Sequence, residues 1–200
     1  MKVFKFFSLL GFGLLFSYFF QTKQSLNKKD LLKEISSVVR VHKDFPKKGI
    51  VFQDVLTVFE HPEILEKVVL HLEERYKNKV DVVVGLDARG FIIGGLLASR
   101  LKVPFIPVRK KGKLPGECYS VSYEKEYGQD QFEMSKLALK GSEKVLIVDD
   151  LIATGGSAFA AIDLIKKAGA IPSEFFAFSK VKGLKGVESL GLNSYILMEG

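Results

Sequence analysis

Cysteine, histidine and tryptophan are scarce in this chain of 200 residues. The single cysteine, Cys118, cannot form a disulfide within the chain, and a reducing compartment is the simplest explanation for so few thiols. The three histidines (His42, His61 and His71) are scattered, and we expect surface or helix-capping positions for them. The chain therefore lacks the clustered ligands of a zinc site and the cysteine pairs of a disulfide-rich fold.

Acidic residues are outnumbered, since 30 Lys and Arg against 23 Asp and Glu give a net charge of +7. A nucleic-acid-binding surface would require a basic stripe interleaved with aromatic residues, which the sequence does not have. Several basic residues instead gather at 109–113. This grouping favours a small polyphosphate, rather than a nucleic acid, as the anionic partner.

Long apolar runs are also absent, except near the N-terminus. Lys2 and Lys5 precede an apolar stretch from Phe6 to Phe20 that resembles a signal peptide, but no small-residue cleavage site follows it. The stretch is shorter than the roughly 20 residues that a membrane span requires. A signal anchor, an interfacial helix in contact with a membrane through residues 3–20, and a dispensable extension all stay open. We divide the chain into this extension (1–24) and one globular domain (25–200).

The most informative segment runs from Val145 to Ser157. Four apolar residues predict a buried strand, and Asp149 and Asp150 follow at its carboxyl end. A loop of small residues then leads into a helix that ends near Gly169. Free N–H groups at a helix N-terminus bind anions, most simply a phosphate. The loop residues are Ala153, Thr154, Gly155, Gly156 and Ser157.

The acidic pair narrows the choice of phosphate compound. Carboxylates next to a phosphate site repel a bare phosphate, so hydroxyl groups or a cation must lie between them. A ribose 5-phosphate meets both requirements, because the loop binds its phosphate while Asp149 and Asp150 accept hydrogen bonds from its 2- and 3-hydroxyls. No lysine follows the glycines, which excludes a Walker loop. Receiver domains are excluded as well, because only fifty residues follow Asp150.

Strands alternate with helices along the rest of the domain. Periodicity predicts helices over Leu26–Val41, from Pro62, over Gly90–Leu101 and after Gly156, and strands over Val80–Val84, Val103–Val108, Val145–Val148 and Phe175–Val181. This order predicts an α/β fold with a doubly wound, mostly parallel sheet flanked by helices. Asp87, Arg109 and Asp149 each follow a predicted strand, so we expect one shared site at the carboxyl ends of the strands.

The segment from Lys110 to about Ser135 has no clear periodicity and contains Pro115, Gly116 and Gly128. A long irregular loop in a compact domain is usually a lid or a disordered segment. We expect a flexible lid loop here. The alternative is a two-stranded antiparallel flap without a chemical role.

The segment Val145–Ser157 resembles the phosphoribosyl-pyrophosphate signature of type I phosphoribosyltransferases. Four more blocks resemble, in the same order, those of the family members that act on adenine, so that the resemblance covers roughly residues 28–198; the blocks are 44–54, 85–91, 108–116 and 122–128. The resemblance implies the type I phosphoribosyltransferase fold and a purine salvage reaction, in which phosphoribosyl pyrophosphate and adenine give AMP and pyrophosphate. It also implies a cytoplasmic homodimer with Arg109 near the subunit contact, and Mg²⁺ carried by the substrate pyrophosphate.

The resemblance also assigns roles to single positions. Glu126 would act as the acid or base near adenine N7, Arg89 would complete the catalytic pair, and Tyr127 and Tyr123 would close the lid. The ribose-phosphate contacts would be the acidic pair and the loop 153–157. The pyrophosphate contacts would be Asp87, Ala88, Arg89, Arg109, Lys110 and Lys113, with a cis peptide bond at Asp87–Ala88. The adenine contacts would be Val51, Phe52 and Val181.

Two positions depart from the family pattern. Gln53 stands where several relatives carry arginine, and Lys180 stands where glutamate is common. Both departures concern the base site more than the ribose-phosphate site. One alternative is a phosphoribosyltransferase for another purine or for a pyrimidine. Another is a non-catalytic regulator that binds phosphoribosyl pyrophosphate, but the apolar extension cannot serve as the DNA-binding module that it would need.

Overall fold

The computed structural model of the chain describes residues 27–45, 48–124 and 129–199, so the extension 1–24 lies outside the described residues. The helices are α1 (Lys28–Val38), α2 (Pro62–Tyr76), α3 (Gly90–Leu101), α4 (Gly156–Lys167) and α5 (Gly186–Ser189), and a 3-10 helix spans Val55–Glu60. The strands are β1 (Arg40–Lys43), β2 (Val51–Asp54), β3 (Val82–Leu86), β4 (Phe105–Lys110), β5 (Cys118–Glu124), β6 (Gln129–Ser135), β7 (Lys144–Ile152), β8 (Ile171–Lys180) and β9 (Ser194–Glu199).

A seven-stranded sheet with the order β5-β6-β4-β3-β7-β8-β9 forms the centre of the domain. The five strands from β4 to β9 in this order pair in parallel, and β6 joins them antiparallel to β4. The β1–β2 hairpin forms a separate two-stranded sheet. The predicted doubly wound, mostly parallel sheet is therefore confirmed.

Both faces of the sheet are covered, which explains why its central strands are apolar throughout. Within β3, Val82, Val84 and Leu86 belong to one buried cluster together with residues of α4. Val83 points the other way and is buried with residues of α1, α2 and α3. Since successive side chains of a strand lie on opposite faces, a strand covered on both sides cannot alternate with polar residues.

Several predicted boundaries are wrong, and two of them concern the β1–β2 hairpin and the acidic pair. Helix α1 ends at Val38 rather than Val41, because the chain then pairs as β1 with β2, from Arg40 opposite Asp54. Strand β7 continues through Asp149 and Asp150 to Ile152, because β8 offers hydrogen-bonding partners along this whole length. The acidic pair therefore lies within the last part of a strand rather than after it.

The segment 110–135 is not the irregular loop that we expected. Strands β5 and β6 pair antiparallel from Cys118 opposite Ser135 to Glu124 opposite Gln129, and the rings of Tyr123 and Phe132 pack with centroids 4.9 Å apart. Its described residues thus form the two-stranded flap that was the alternative. Residues 125–128 at its tip lie outside the described residues, and movement of the flap as a lid stays a prediction.

One of the histidines, His71, is packed among other side chains and is not one of the residues that line the predicted site. The ring of His71 lies 2.6 Å (Nε2 to Oη) from the hydroxyl of Tyr195, and it is partly buried rather than a surface residue. Burial lowers the pKa of His71, with Lys28 and Arg75 adding to the effect. This cluster joins α2 to β9.

Candidate functional site

An open cleft of about 250 Å³ lies at the carboxyl ends of β3 and β7. Tyr123 and Phe132 of the flap contribute to its wall, so Tyr123 lies in the side of the cleft and is buried there. The residues predicted for the site that line the cleft are Asp87, Ala88, Arg89, Lys110, Asp149, Asp150 and the loop 153–157. The structure thus brings the ends of separate strands together, as expected for a parallel sheet.

The loop before α4 has the geometry of an anion site. Gly155 adopts a φ of 91°, in the left-handed region that favours glycine, and it occupies the N-cap position of α4 without a side-chain cap. The first N–H groups of this helix therefore keep the donor capacity that a phosphate uses.

A second glycine, which the sequence reasoning missed, supports this loop from outside. Helix α5 packs so closely on the loop that a Cβ added at Gly186 would lie 2.2 Å from the carbonyl oxygen of Ala153 and 2.8 Å from the nitrogen of Gly155. Only a glycine fits this close approach of two backbones. Its position after Gly183 in the sequence gives no sign of its partner, because the contact is made between distant segments.

The acidic pair is engaged with Arg89. The Nε of Arg89 lies 2.9 Å from Oδ2 of Asp150, which is only 4% exposed, and Oδ1 of Asp149 accepts a hydrogen bond from the backbone N–H of Asp150. Burial, together with the negative charge of Asp150, raises the pKa of Asp149 well above its ordinary value. Burial also raises the pKa of Asp150, and the opposing effect of Arg89 limits that shift. A ribose hydroxyl that binds Asp150 must therefore share this carboxylate with Arg89.

The second arginine is held by the residue that precedes the cis peptide. The Nε of Arg109 donates to Oδ2 of Asp87 over 3.2 Å, and its Nη1 donates to the carbonyl oxygen of Lys113 over 3.1 Å. The peptide bond between Asp87 and Ala88 is cis, as the resemblance implies. Asp87 thus holds Arg109 and stabilises the basic loop, residues 109–113. For a carboxylate, this contact with a cation is more favourable than a direct contact with the like-charged pyrophosphate.

The basic loop is braced from the flap. Nζ of Lys110 lies 3.8 Å from Oδ2 of Asp130, and the N–H of Gly112 donates to Oε2 of Glu133. Lys113 is exposed at the bend after the loop. The flap that carries Tyr123 therefore also positions Lys110, one of the lysines predicted to bind pyrophosphate.

The residues predicted to bind adenine are not among those that line this cleft. Val51 in β2 is 62% exposed, and the ring of Phe52 packs edge-on to that of Phe45, with centroids 5.2 Å apart. Val181 follows β8, and its N–H donates to the carbonyl oxygen of Ile152. Neither Glu126 nor Tyr127 lies within the described residues.

The two departures from the family pattern both have partners. Gln53 accepts a hydrogen bond from the hydroxyl of Ser179, and the amine of Lys180 lies 3.5 Å from Oε1 of Glu199. No local pattern indicates either contact, since both join segments that are far apart in the chain or in different sheets.

The close contact at Gly186 yields a test of the anion site. We expect Gly186→Ala to weaken the binding of ribose 5-phosphate by about tenfold or more, because the added Cβ displaces the loop backbone and overpacking costs roughly 1–3 kcal/mol. Isothermal titration calorimetry measures this directly. Ser189→Ala, which removes a hydroxyl from the same short helix, should leave the affinity unchanged. Equal affinities for wild type and Gly186→Ala would contradict the proposed anion site.

Known proteins provide an independent comparison. The family model of the phosphoribosyl transferase domain matches residues 55–173. The chain is 41% identical over 180 residues to an adenine phosphoribosyltransferase of Yarrowia lipolytica, covering 88% of this chain and 99% of the relative. It is 43% identical over 171 residues to adenine phosphoribosyltransferase 1 of Saccharomyces cerevisiae, covering 83% of this chain and 91% of the relative.

Solved structures agree with these relatives. The Saccharomyces cerevisiae adenine phosphoribosyltransferase complexed with adenine and an imino-altritol bisphosphate superposes with a TM-score of 0.80 at 42% identity, covering 85% of this chain and 99% of that one. The Giardia lamblia enzyme complexed with 9-deazaadenine gives a TM-score of 0.78 at 33% identity, covering 84% of this chain and 97% of that one. The chain therefore belongs to the phosphoribosyltransferase family and, within it, to the adenine phosphoribosyltransferases.

Proposed function

We propose that this chain transfers the 5-phosphoribosyl group of phosphoribosyl pyrophosphate to N9 of adenine in purine salvage. The bond between C1 of the ribose and N9 forms, the bond between C1 and the pyrophosphate oxygen breaks, and N9 loses its proton. The observation that carries the proposal is one cleft that combines the uncapped N-terminus of α4, the acidic pair and Arg89.

The cleft can hold the sugar at both ends. The N–H groups of the loop 153–157 bind the 5-phosphate, while Asp149 and Asp150 accept hydrogen bonds from the 2- and 3-hydroxyls. Two fixed ends leave C1 in one position relative to both the base and the leaving group. Positioning of this kind removes much of the entropic cost of bringing two substrates together.

Cations around the cleft stabilise the departing pyrophosphate, which gains negative charge as the bond to C1 breaks. Arg89 and Lys110 line the cleft, and Arg109 and Lys113 are linked to it through Asp87. Charged donors that are already oriented act most strongly where charge develops. No protein nucleophile is needed, because adenine itself attacks C1.

Mg²⁺ fits this site as a companion of the substrate rather than as a resident ion. Within residues 27–45, 48–124 and 129–199, no three His, Cys, Asp or Glu side chains are grouped so as to hold a metal ion. Mg²⁺ commonly binds through substrate phosphates and one or two carboxylates, and Asp149 and Asp150 are available for this. When bound, it neutralises part of the charge of the pyrophosphate.

The base site is proposed at the β1–β2 hairpin. Backbone groups of Val51 and Phe52 would read the edge of adenine, the Phe52 ring would stack on it, and Val181 would close the opposite face. Such a neutral, apolar slot suits a neutral purine. Glu126 of the flap tip would then exchange a proton with N7 as N9 becomes substituted, and Tyr127 would help to close the flap.

Base selectivity tests the proposed function. The purified full-length chain should convert adenine to AMP with phosphoribosyl pyrophosphate and Mg²⁺. It should use hypoxanthine at least about a hundredfold less well, because a slot that matches the hydrogen-bonding edge of adenine leaves polar groups of hypoxanthine without partners. Values of kcat/KM for the two bases measure this ratio. Equal use of hypoxanthine would overturn the assignment of the base.

The acidic pair provides the matched variant for this assay. Asp150→Asn keeps the size of the side chain but removes the charge that faces Arg89, so it should chiefly impair the use of phosphoribosyl pyrophosphate. Unchanged kinetics would remove Asp150 from the site.

We further propose that the enzyme is a homodimer formed through α3. Ile92 and Leu96 of this helix are 46% and 41% exposed although both are apolar, and they lie about one turn apart in the helix that follows Arg89. The Arg109 guanidinium packs near the ring of Phe91 on the same helix, so a second copy on this face would lie beside the basic loop.

A charge placed on this helix face tests the dimer. Ile92→Glu should convert the dimer into a monomer in sedimentation velocity experiments, because the carboxylate would be buried without a partner. Leu137→Glu is the matched control, since Leu137 is 93% exposed on a turn. A wild-type monomer, or a dimer that Ile92→Glu leaves intact, would contradict the proposal.

We also propose that the domain is cytoplasmic and that residues 3–20 bring it to the membrane surface. No helix within the described ranges has both the length and the apolar character needed to cross a membrane. In the sequence before residue 27, the apolar run Phe6–Phe20 has lysines on both sides, and this pattern supports an interfacial contact with a membrane.

Vesicle binding tests this contact. The full-length chain should sediment with vesicles that contain anionic phosphatidylglycerol, and Leu10→Glu together with Leu14→Glu should abolish this by placing charges in the apolar run. Leu137→Glu should bind like the wild type. Release of the wild type into the supernatant would show that the extension is no membrane anchor.

A further inference from the structure

Among the described residues, one side-chain hydrogen bond joins the β1–β2 hairpin to the end of the large sheet. The hydroxyl of Ser179 in β8 donates to Oε1 of Gln53 in β2 over 3.1 Å. Ser179 is only 1% exposed, and Gln53 is partly buried. The hairpin belongs to a sheet of its own, so this bond connects two sheets that share no strand pairing.

Arg40 of the hairpin also forms an ion pair with Glu60 of the 3-10 helix that follows β2, and this helix is attached to the core by apolar packing. Val55 and Val58 of the 3-10 helix that follows β2 are buried in the core, and the ring of Phe59 packs near that of Phe178, with centroids 6.3 Å apart. Apolar packing holds the two parts together but tolerates small lateral shifts. A hydrogen bond is directional, so the Gln53–Ser179 bond fixes the position of β2 along β8.

Each residue of this hydrogen bond is close in sequence to one side of the proposed base site. Phe52 directly precedes Gln53, and Val181 is two residues after Ser179. A flat ring bound between Phe52 and Val181 would need about twice 3.5 Å between the groups that contact its two faces. Val181 is itself held in place by its hydrogen bond to the carbonyl oxygen of Ile152.

We propose that Gln53 and Ser179 are positioning residues that set the width of the adenine slot between Phe52 and Val181. The proposal rests on the proposed function, because it assumes that adenine binds at this hairpin. It also gives a physical meaning to the glutamine where relatives carry arginine. The amide oxygen of Gln53 accepts the hydrogen bond from Ser179, which arginine could not do because its side chain has no acceptor, and the nearby amine of Lys180 is engaged by Glu199.

A merely structural role predicts a different outcome. If the bond only satisfied a buried hydroxyl, its loss would lower the thermal stability and leave the kinetics of the folded enzyme unchanged. A positioning role predicts that the loss appears in the use of adenine and spares the sugar-phosphate site, which is formed by the loop after β7.

The test uses Ser179→Ala, Gln53→Met and the double variant of the full-length chain. Each single variant should raise KM for adenine by about threefold to tenfold, which is the effect of losing one hydrogen bond. The double variant should be no worse than the poorer single variant, because both remove the same contact. KM for phosphoribosyl pyrophosphate should change by less than about twofold, and Ser179→Thr, which keeps a hydroxyl, should restore KM for adenine.

Controls separate the outcomes. Ser194→Ala removes a local hydrogen bond at the far end of β9 and should match the wild type. If Ser179→Ala does not fold, Gln53→Met at its partly buried position decides the question. Additive effects, unchanged KM for adenine or an equal rise in both KM values would overturn the inference. A wild-type chain that is inactive on adenine would instead overturn the proposed function.

Discussion

The site depends on the parallel pairing of β3, β7 and β8. Parallel strands end at the same edge of a sheet, and their backbone bonds fix how far each strand extends before the chain turns. Because β8 pairs with β7 as far as Ile152, the acidic pair is held within regular structure, and the loop that follows can begin only after it. A strand that ended earlier would leave both carboxylates on a loop that is free to move.

Charge pairing is the second organising feature of the cleft. Two basic side chains that a pyrophosphate would need are already bound to carboxylates, Arg89 to Asp150 and Arg109 to Asp87. These pairs keep the arginines oriented and reduce the repulsion between the buried carboxylates. Since a pair at the edge of a cleft is partly solvated, it can open for a ligand of stronger charge. The same groups thus preserve the cleft and would bind the proposed substrate.

Local signals were sufficient for the central part of the fold. The apolar run before Asp149 and the helix from Pro62 are predicted correctly. The strand residues are buried on both faces of the sheet, and the helix buries the same face at every turn, so each pattern is regular along the chain. The flap was only the alternative prediction for its segment. Tyr119, Val121 and Tyr123 alternate with polar residues as an edge strand should, but the turn residues around Pro115 and Gly116 masked that short pattern. The β1–β2 hairpin was missed for a similar reason, since β1 is exposed along its whole length and leaves no apolar signal.

The sequence by itself determined the chemistry of the site: an anion-binding loop, an acidic pair and a group of basic residues, all recognisable from adjacent residues. Only the tertiary structure decided which side chains meet. Gly186 against the loop, Asp87 against Arg109 and Ser179 against Gln53 join segments from 22 to 126 residues apart or from different layers. The physical reason is that a contact of this kind depends on the packing of whole strands and helices, and the residues themselves have no local preference for their partners.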